Sequence, residues 1–394
     1  MRLIDVSKVE RGDSIRLIGR VTTKESAEPL EVYFEFPAEY RDFIADEADC
    51  FVVALLVPAM ASDEPLEIVP SVSPLLLGNL PRIRDIFHNW YGWMGRIDIR
   101  ATARSAPAGP PAPRAATFFS GGVDSFYTLL KRLDKETLPV PLTHMIFMRG
   151  IESDLEHGKA VAEAQAWAKQ IAGELGIGCI VGETNIRTLF PLHWEKYYFG
   201  SGLSATALAL APGFSYVCIP SSFSYSHQVA HGSTPLVDER FSTEQLHLIH
   251  DGSEATRAQK VARILEWRRE LVLKHLRVCI YNKGGASNCG KCYKCVRTAV
   301  ALRILGAWDD AETFANKSTQ RWGRVISHDH LVLTEENLAL AKEWGADPEI
   351  TRFLETIVRR ERRRTALLTY ARNSPLQRLL PLAYYIKKQV EERL

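Results

Sequence analysis

Net charge is nearly absent from this chain: 49 Lys+Arg stand against 47 Asp+Glu over 394 residues, leaving +2. A dedicated nucleic-acid binder usually carries a clear basic excess, so the balance weighs against that class. Cysteine is scarce, seven in all, far below the density of a disulfide-stapled secreted scaffold. Long apolar runs are missing too. Cys50–Ala61, the most apolar stretch, is interrupted by Pro58 and falls short of the ~20 residues that span a bilayer. No apolar h-region follows Arg2 and Asp5, so no secretory signal is expected and the chain reads as soluble and cytoplasmic. With 46% hydrophobic and 24% charged residues, wholesale disorder is excluded.

One stretch breaks the ordinary composition. Ser105–Ala115 (SAPAGPPAPRA) holds four prolines, which stiffen the backbone and remove hydrogen-bond donors, as in an interdomain linker. It divides an N-terminal α+β domain (1–104) of unknown role from an α/β domain (116–260), followed by a helical region (261–394). In the first part, alternation predicts strands at Ser14–Thr22, Glu31–Phe36, Leu66–Val69 and Met94–Ala101, and helices over Ala38–Ala61 and Pro74–Trp90. Past the linker the pattern becomes strand, helix, strand: Ala116–Phe119, a helix from Phe126 to Leu133, His144–Met148, Lys159–Leu175, Cys179–Val181, Ser204–Leu210 and Phe214–Ile219. That order predicts a parallel sheet with crossover helices, in which ligands bind at the carboxyl ends of the strands.

The strongest chemical signal lies between the first of these strands and its helix: Ser120-Gly121-Gly122-Val123-Asp124-Ser125. Paired glycines let the backbone turn sharply and approach a ligand closely. Their N–H groups, with those of the helix start, form an anion nest. Ser120 and Ser125 offer hydroxyl donors. Asp124 would repel a bare phosphate, a conflict that a bridging Mg2+ resolves. The loop is not a Walker A sequence, because no GxxxxGK[ST] is present.

The second signal is Cys279-x9-Cys289-x2-Cys292-x2-Cys295. Short CxxC spacings let thiolates converge on one ion, and a fourth thiolate closes a tetrahedral zinc site. CxxCxxC also occurs in iron–sulfur ligation, but Ala299 breaks the common x3-C continuation. Cys50, Cys179 and Cys218 sit in apolar contexts and read as buried small hydrophobes.

Ser120–Ser125 resembles the SGGxDS loop of the PP-loop ATP pyrophosphatase superfamily, and together with the cysteines it is similar to 7-cyano-7-deazaguanine synthase. The resemblance spans about residues 116–300. It implies a five-stranded parallel α/β fold, and cleavage of ATP between its α- and β-phosphates. AMP would pass to a carboxylate or amide oxygen before a nitrogen nucleophile attacks. It also implies Cys279, Cys289, Cys292 and Cys295 as zinc ligands. Enzymes of that kind are shorter, lacking a counterpart of residues 1–104, the linker and a helical tail of this size, which leaves the acceptor open. Two other readings remain: a PP-loop sulfur transferase acting on tRNA or a metabolite, and an ATP-binding sensor or scaffold without turnover.

Further candidates are weaker. His231 and Asp238, in the segment HGSTPLVD after the fourth strand, are placed to meet an acceptor, a small-molecule or peptide carboxylate, or to manage a proton; a plain Gly/Pro turn explains them equally well. Arg187, Arg257 and Lys260 are cations able to stabilise departing pyrophosphate, although exposed helix charges are the commoner explanation. Trp194, Tyr197 and Tyr198 suit stacking on a planar ring or core packing. The run Arg359–Arg364 reads as a solvated helix face, or as a contact for phosphate or an acidic partner. The apolar stripe Leu379–Val390 suits docking on the core or a homodimer.

Overall fold

A computed structural model describes residues 1–26, 28–105, 109, 111–151, 158–279, 288–314, 317 and 331–372. The chain divides into two units, Met1–Asn288 and Cys289–Leu394.

In the first unit, β1 (Arg2–Arg11), β2 (Ser14–Thr22) and β3 (Leu30–Pro37) form an antiparallel meander. Alternation in β3 buries Val32, Phe34 and Phe36 on one face. α1 (Asp49–Ala61) has no polar face, and every residue from Asp49 to Met60 is buried, as expected of a helix that is apolar all round. It begins well inside the helix expected over Ala38–Ala61, because Ala38–Phe43 forms a separate 3-10 turn. β4 (Leu66–Ile68) pairs parallel with β1. α2 (Pro74–Trp90) matches its expected bounds: Ser73 caps it, its hydroxyl accepting the Leu76 N–H, and Pro74 opens the first turn. Of the strand expected at Met94–Ala101, only Ile99–Arg100 (β5) pairs, parallel to β4.

The alternating half follows with β6 (Ala115–Phe118), α3 (Val123–Asp134), β7 (Leu142–Arg149), α4 (Gly158–Leu175) and β8 (Gly178–Thr184). Next come α5 (Ile186–Leu189), α6 (Phe199–Ala209), β9 (Tyr216–Pro220), β10 (His247–Asp251) and α7 (Arg257–His275). Five strands run parallel in the order β10-β9-β6-β7-β8. β10 is a strand the sequence reading missed. β8 then pairs antiparallel with β3, through Phe34 with Thr184 and Glu35 with Glu183. The result is one ten-stranded sheet, mostly parallel, containing strands from both sides of the proline-rich stretch. α1 packs on α6, and the Tyr198 hydroxyl donates to the Ala54 carbonyl.

The second unit is helical: α8 (Tyr293–Ile304), α9 (Leu331–Glu343) and α10 (Pro348–Arg372). Asn337 on α9 donates to the Arg297 carbonyl of α8 over 3.1 Å, and Leu340, Ala341, Leu354 and Ile357 are buried. The arginine run lies on α10. There Arg362 pairs with Glu335 at 2.7 Å, and Arg360 and Arg364 both face Glu361. The Leu379–Val390 stripe and residues 106–108 and 110 of the proline-rich stretch lie outside the described residues. Among those described, no helix is long and apolar enough to cross a membrane.

Candidate active site and metal centre

Wholly buried β6 delivers Phe119 and Ser120 to the carboxyl end of the parallel strands. Gly121 then takes φ +78°, in the region that only glycine enters at little cost. Space demands glycine as well: a Cβ there would come within 2.0 Å of the Trp167 ring of α4. Gly122 caps α3, which starts three residues earlier than expected, so Val123, Asp124 and Ser125 form its first turn. The Ser120 hydroxyl accepts the Gly122 N–H at 3.4 Å and meets the Ser125 hydroxyl at 3.3 Å. Ser125 in turn donates to the Gly122 carbonyl at 3.0 Å. The result is a tight turn that runs directly into the first turn of α3.

α7 supplies the opposing charge. Its capping box, Thr256 with Gln259, fixes the helix start and sets Arg257 and Lys260 one turn apart. Both reach Asp124: Arg257 through Nε at 3.3 Å and through Nη2, Lys260 through Nζ at 3.3 Å. Lys260 is almost completely buried and also donates to the Ser221 carbonyl at 2.7 Å and the Ser221 hydroxyl at 3.1 Å, at the end of β9. Burial raises the Asp124 carboxyl, but the charges of Arg257 and Lys260 outweigh it and hold the group below the ordinary carboxylate value. Burial depresses the Lys260 ammonium, with Asp124 opposing. In the first turn of α3, Asp124 is therefore charge-balanced by two side chains of the protein itself.

Behind this trio runs a network absent from the sequence reading. Glu254 accepts from Tyr127 at 2.8 Å and from Lys131 at 2.7 Å, Arg263 donates to the Tyr127 hydroxyl at 2.7 Å, and Lys131 and Arg132 both pair with buried Asp251. Its acidic members, Asp251 at the end of β10 and Glu254 three residues on, form no motif in the sequence.

His231 and Asp238 take different environments. Asp238 has no exposed surface, and its Oδ2 accepts from the Ser233 hydroxyl at 2.5 Å and contacts His250 Nδ1 at 2.7 Å. His231 keeps some surface, accepts the Ser233 N–H at 3.2 Å and lies edge-on to Phe223. Burial pushes its imidazole below the ordinary histidine value. Ser233 thus lies between the two, but Asp238 is turned inward as an anchor for the loop. Arg187 donates to the Ile151 carbonyl and lies over Trp194, and Tyr198 is fully buried, so core packing accounts for Trp194 and Tyr198.

The cysteine cluster comes together. One sulfur each from Cys279, Cys289, Cys292 and Cys295 lies within 4.8 Å of the others, a group able to hold a metal ion such as zinc. Cys289 Sγ accepts the N–H groups of Lys291 and Cys292 at 3.4 and 3.3 Å, and Cys292 Sγ accepts that of Cys295 at 3.4 Å. Gly290 supplies the turn with φ +66°. The 3.8 Å between the sulfurs of Cys289 and Cys295 fits tetrahedral zinc, whose Zn–S bonds of about 2.3 Å put sulfurs roughly 3.8 Å apart. Compared with protein-family models, curated proteins and solved structures, the chain matches none of them.

Proposed function

We propose that the chain is an ATP-dependent ligase of the PP-loop type, resembling 7-cyano-7-deazaguanine synthase. One observation carries this reading: a Ser120–Ser125 turn at the carboxyl end of five parallel strands, facing the Arg257–Lys260 pair. ATP, as its Mg2+ complex, would lay its phosphates on the loop N–H groups, with Ser120 and Ser125 reorienting their hydroxyls towards phosphate oxygens. An acceptor carboxylate or amide oxygen attacks the α-phosphorus, and the bond to the bridging oxygen breaks. Pyrophosphate departs with the electron pair. A nitrogen nucleophile then attacks the activated carbon, loses a proton and displaces AMP. Arg257 and Lys260 stabilise the charge that grows on pyrophosphate, and Asp124 holds both in place.

Cys279, Cys289, Cys292 and Cys295 would hold zinc in a closed set of four thiolates, which stabilises fold rather than taking part in the reaction. The test is to incubate the protein with Mg–ATP and a panel of carboxylated small molecules and peptides, and to separate the nucleotides. AMP and pyrophosphate in equal amounts, dependent on one acceptor, support the proposal; ADP and phosphate, or no nucleotide binding, sink it. Sulfur recovered on Cys289–Cys295 would instead indicate sulfur transfer.

A further inference from the structure

Arg277 follows α7 by two residues and precedes Cys279 by two. Its backbone N–H donates to the Gly121 carbonyl at 2.7 Å, and its guanidinium lies over Trp167 at 5.7 Å, the same ring that fills the space beside Gly121. The Arg277 carbonyl lies 3.8 Å from where a Cβ of Gly122 would stand. The chain that leads to the first cysteine therefore forms the floor under both glycines of the anion loop.

That floor is clamped by one side chain. Asn288, only 1% exposed, accepts the N–H groups of Val278 and Cys279 on Oδ1 at 2.8 and 3.1 Å, and its Nδ2 donates to the Leu276 carbonyl at 2.8 Å. A buried amide using both ends on three backbone groups fixes that segment in one register. Asn288 is also the neighbour of Cys289, so the clamp sits directly between two members of the cysteine group.

We infer that Asn288 is a positioning residue for the Gly121–Gly122 turn, acting through residues 276–279, and that metal held by Cys279 and Cys289 keeps the clamp closed. Metal loading and the geometry of the anion loop are then thermodynamically linked: each stabilises the other. The nature of the loop's ligand rests on the function proposed above; the coupling does not.

Hydrogen exchange on the full-length, zinc-loaded protein tests it, with zinc content measured in each sample. Chelation, or Asn288→Ala, should speed exchange in residues 119–126 by about tenfold or more while leaving β7 protected, because local opening is released without global unfolding. Asn288→Asp keeps the acceptor for Val278 and Cys279 and should restore most of the protection. Mg–ATP affinity, measured by calorimetry on the same samples, should fall in the same order. Unchanged exchange at 119–126 after zinc loss, or equal loosening of β7, would overturn the inference. If the loaded protein shows the coupled exchange but binds no ATP, the proposed function falls and the coupling stands.

Discussion

Lys260 and Asp124, 136 residues apart in the chain, meet at 3.3 Å, with the lysine the more deeply buried of the two. A buried ammonium is tolerated only when paired and hydrogen-bonded, and Ser221 completes its shell. Lys260→Met removes the buried charge and leaves Arg257 to neutralise Asp124. Acceptor-dependent AMP release should drop by roughly 10²–10³-fold, while unfolding free energy stays within the ~0.5–3 kcal/mol of ordinary substitutions. Steady-state rates and urea melts on one preparation separate the two effects.

Gly121→Ala meets two obstacles at once, the positive φ and the Trp167 ring at 2.0 Å. Together they should cost about 2–4 kcal/mol and abolish nucleotide binding. Gly173→Ala on α4, where a Cβ meets nothing within 4 Å, is the control: it should be neutral or stabilising by up to about 1 kcal/mol. Thermal melts with and without Mg–ATP decide it.

Glu254 sets an acid limit. Burial pushes its carboxyl up, but hydrogen bonds from Lys131, from its own backbone N–H and from Tyr127 win and bring it from 4.5 down to about 2. A depressed carboxyl stabilises the fold above its unfolded value and loses that contribution as pH falls, here from about 4.5 through about 2. Glu254→Gln should therefore flatten the acid limb of a stability-versus-pH curve in that window and leave its neutral plateau the more affected part.

Thiol counting checks the metal centre. Native protein loaded with zinc should react slowly with a maleimide, and chelation should release four reactive thiols. Cys50, Cys179 and Cys218 should stay silent until denaturant is added, because burial pushes all three thiols up, Cys179 and Cys218 to about 12. More than four thiols in the chelated native state would contradict this assignment.

Local pattern carried a good part of this fold. The loop, the cysteines, α2 and the strand–helix alternation are visible because glycine pairs, CxxC spacings, a Ser-Pro helix start and period-3.6 burial act over a few residues. β10 was invisible for the opposite reason: five residues, HLIHD, with two histidines and an aspartate lack an apolar run, and it becomes a strand only beside β9. The join of β8 to β3 rests on two residue pairs that no local periodicity signals. The Asp124–Arg257–Lys260 trio was legible only as separate charges. Trp167 and Asn288 read as ordinary polar or amphipathic positions until the turn they support was in place.

The order in which the chain is made gives α1 a further meaning. This helix, buried from Asp49 to Met60, packs on α6, yet Ala54 and its partner Tyr198 are separated by 144 residues. During synthesis α1 can pack on β3 through Phe34 and Phe51, but its face towards α6 must wait until about half of the chain has been made. Contacts of such long sequence separation form slowly and leave aggregation-prone surface exposed meanwhile. The nascent protein should therefore be a strong client for chaperones that shield apolar segments, and its yield should respond to translation speed between residues 61 and 199.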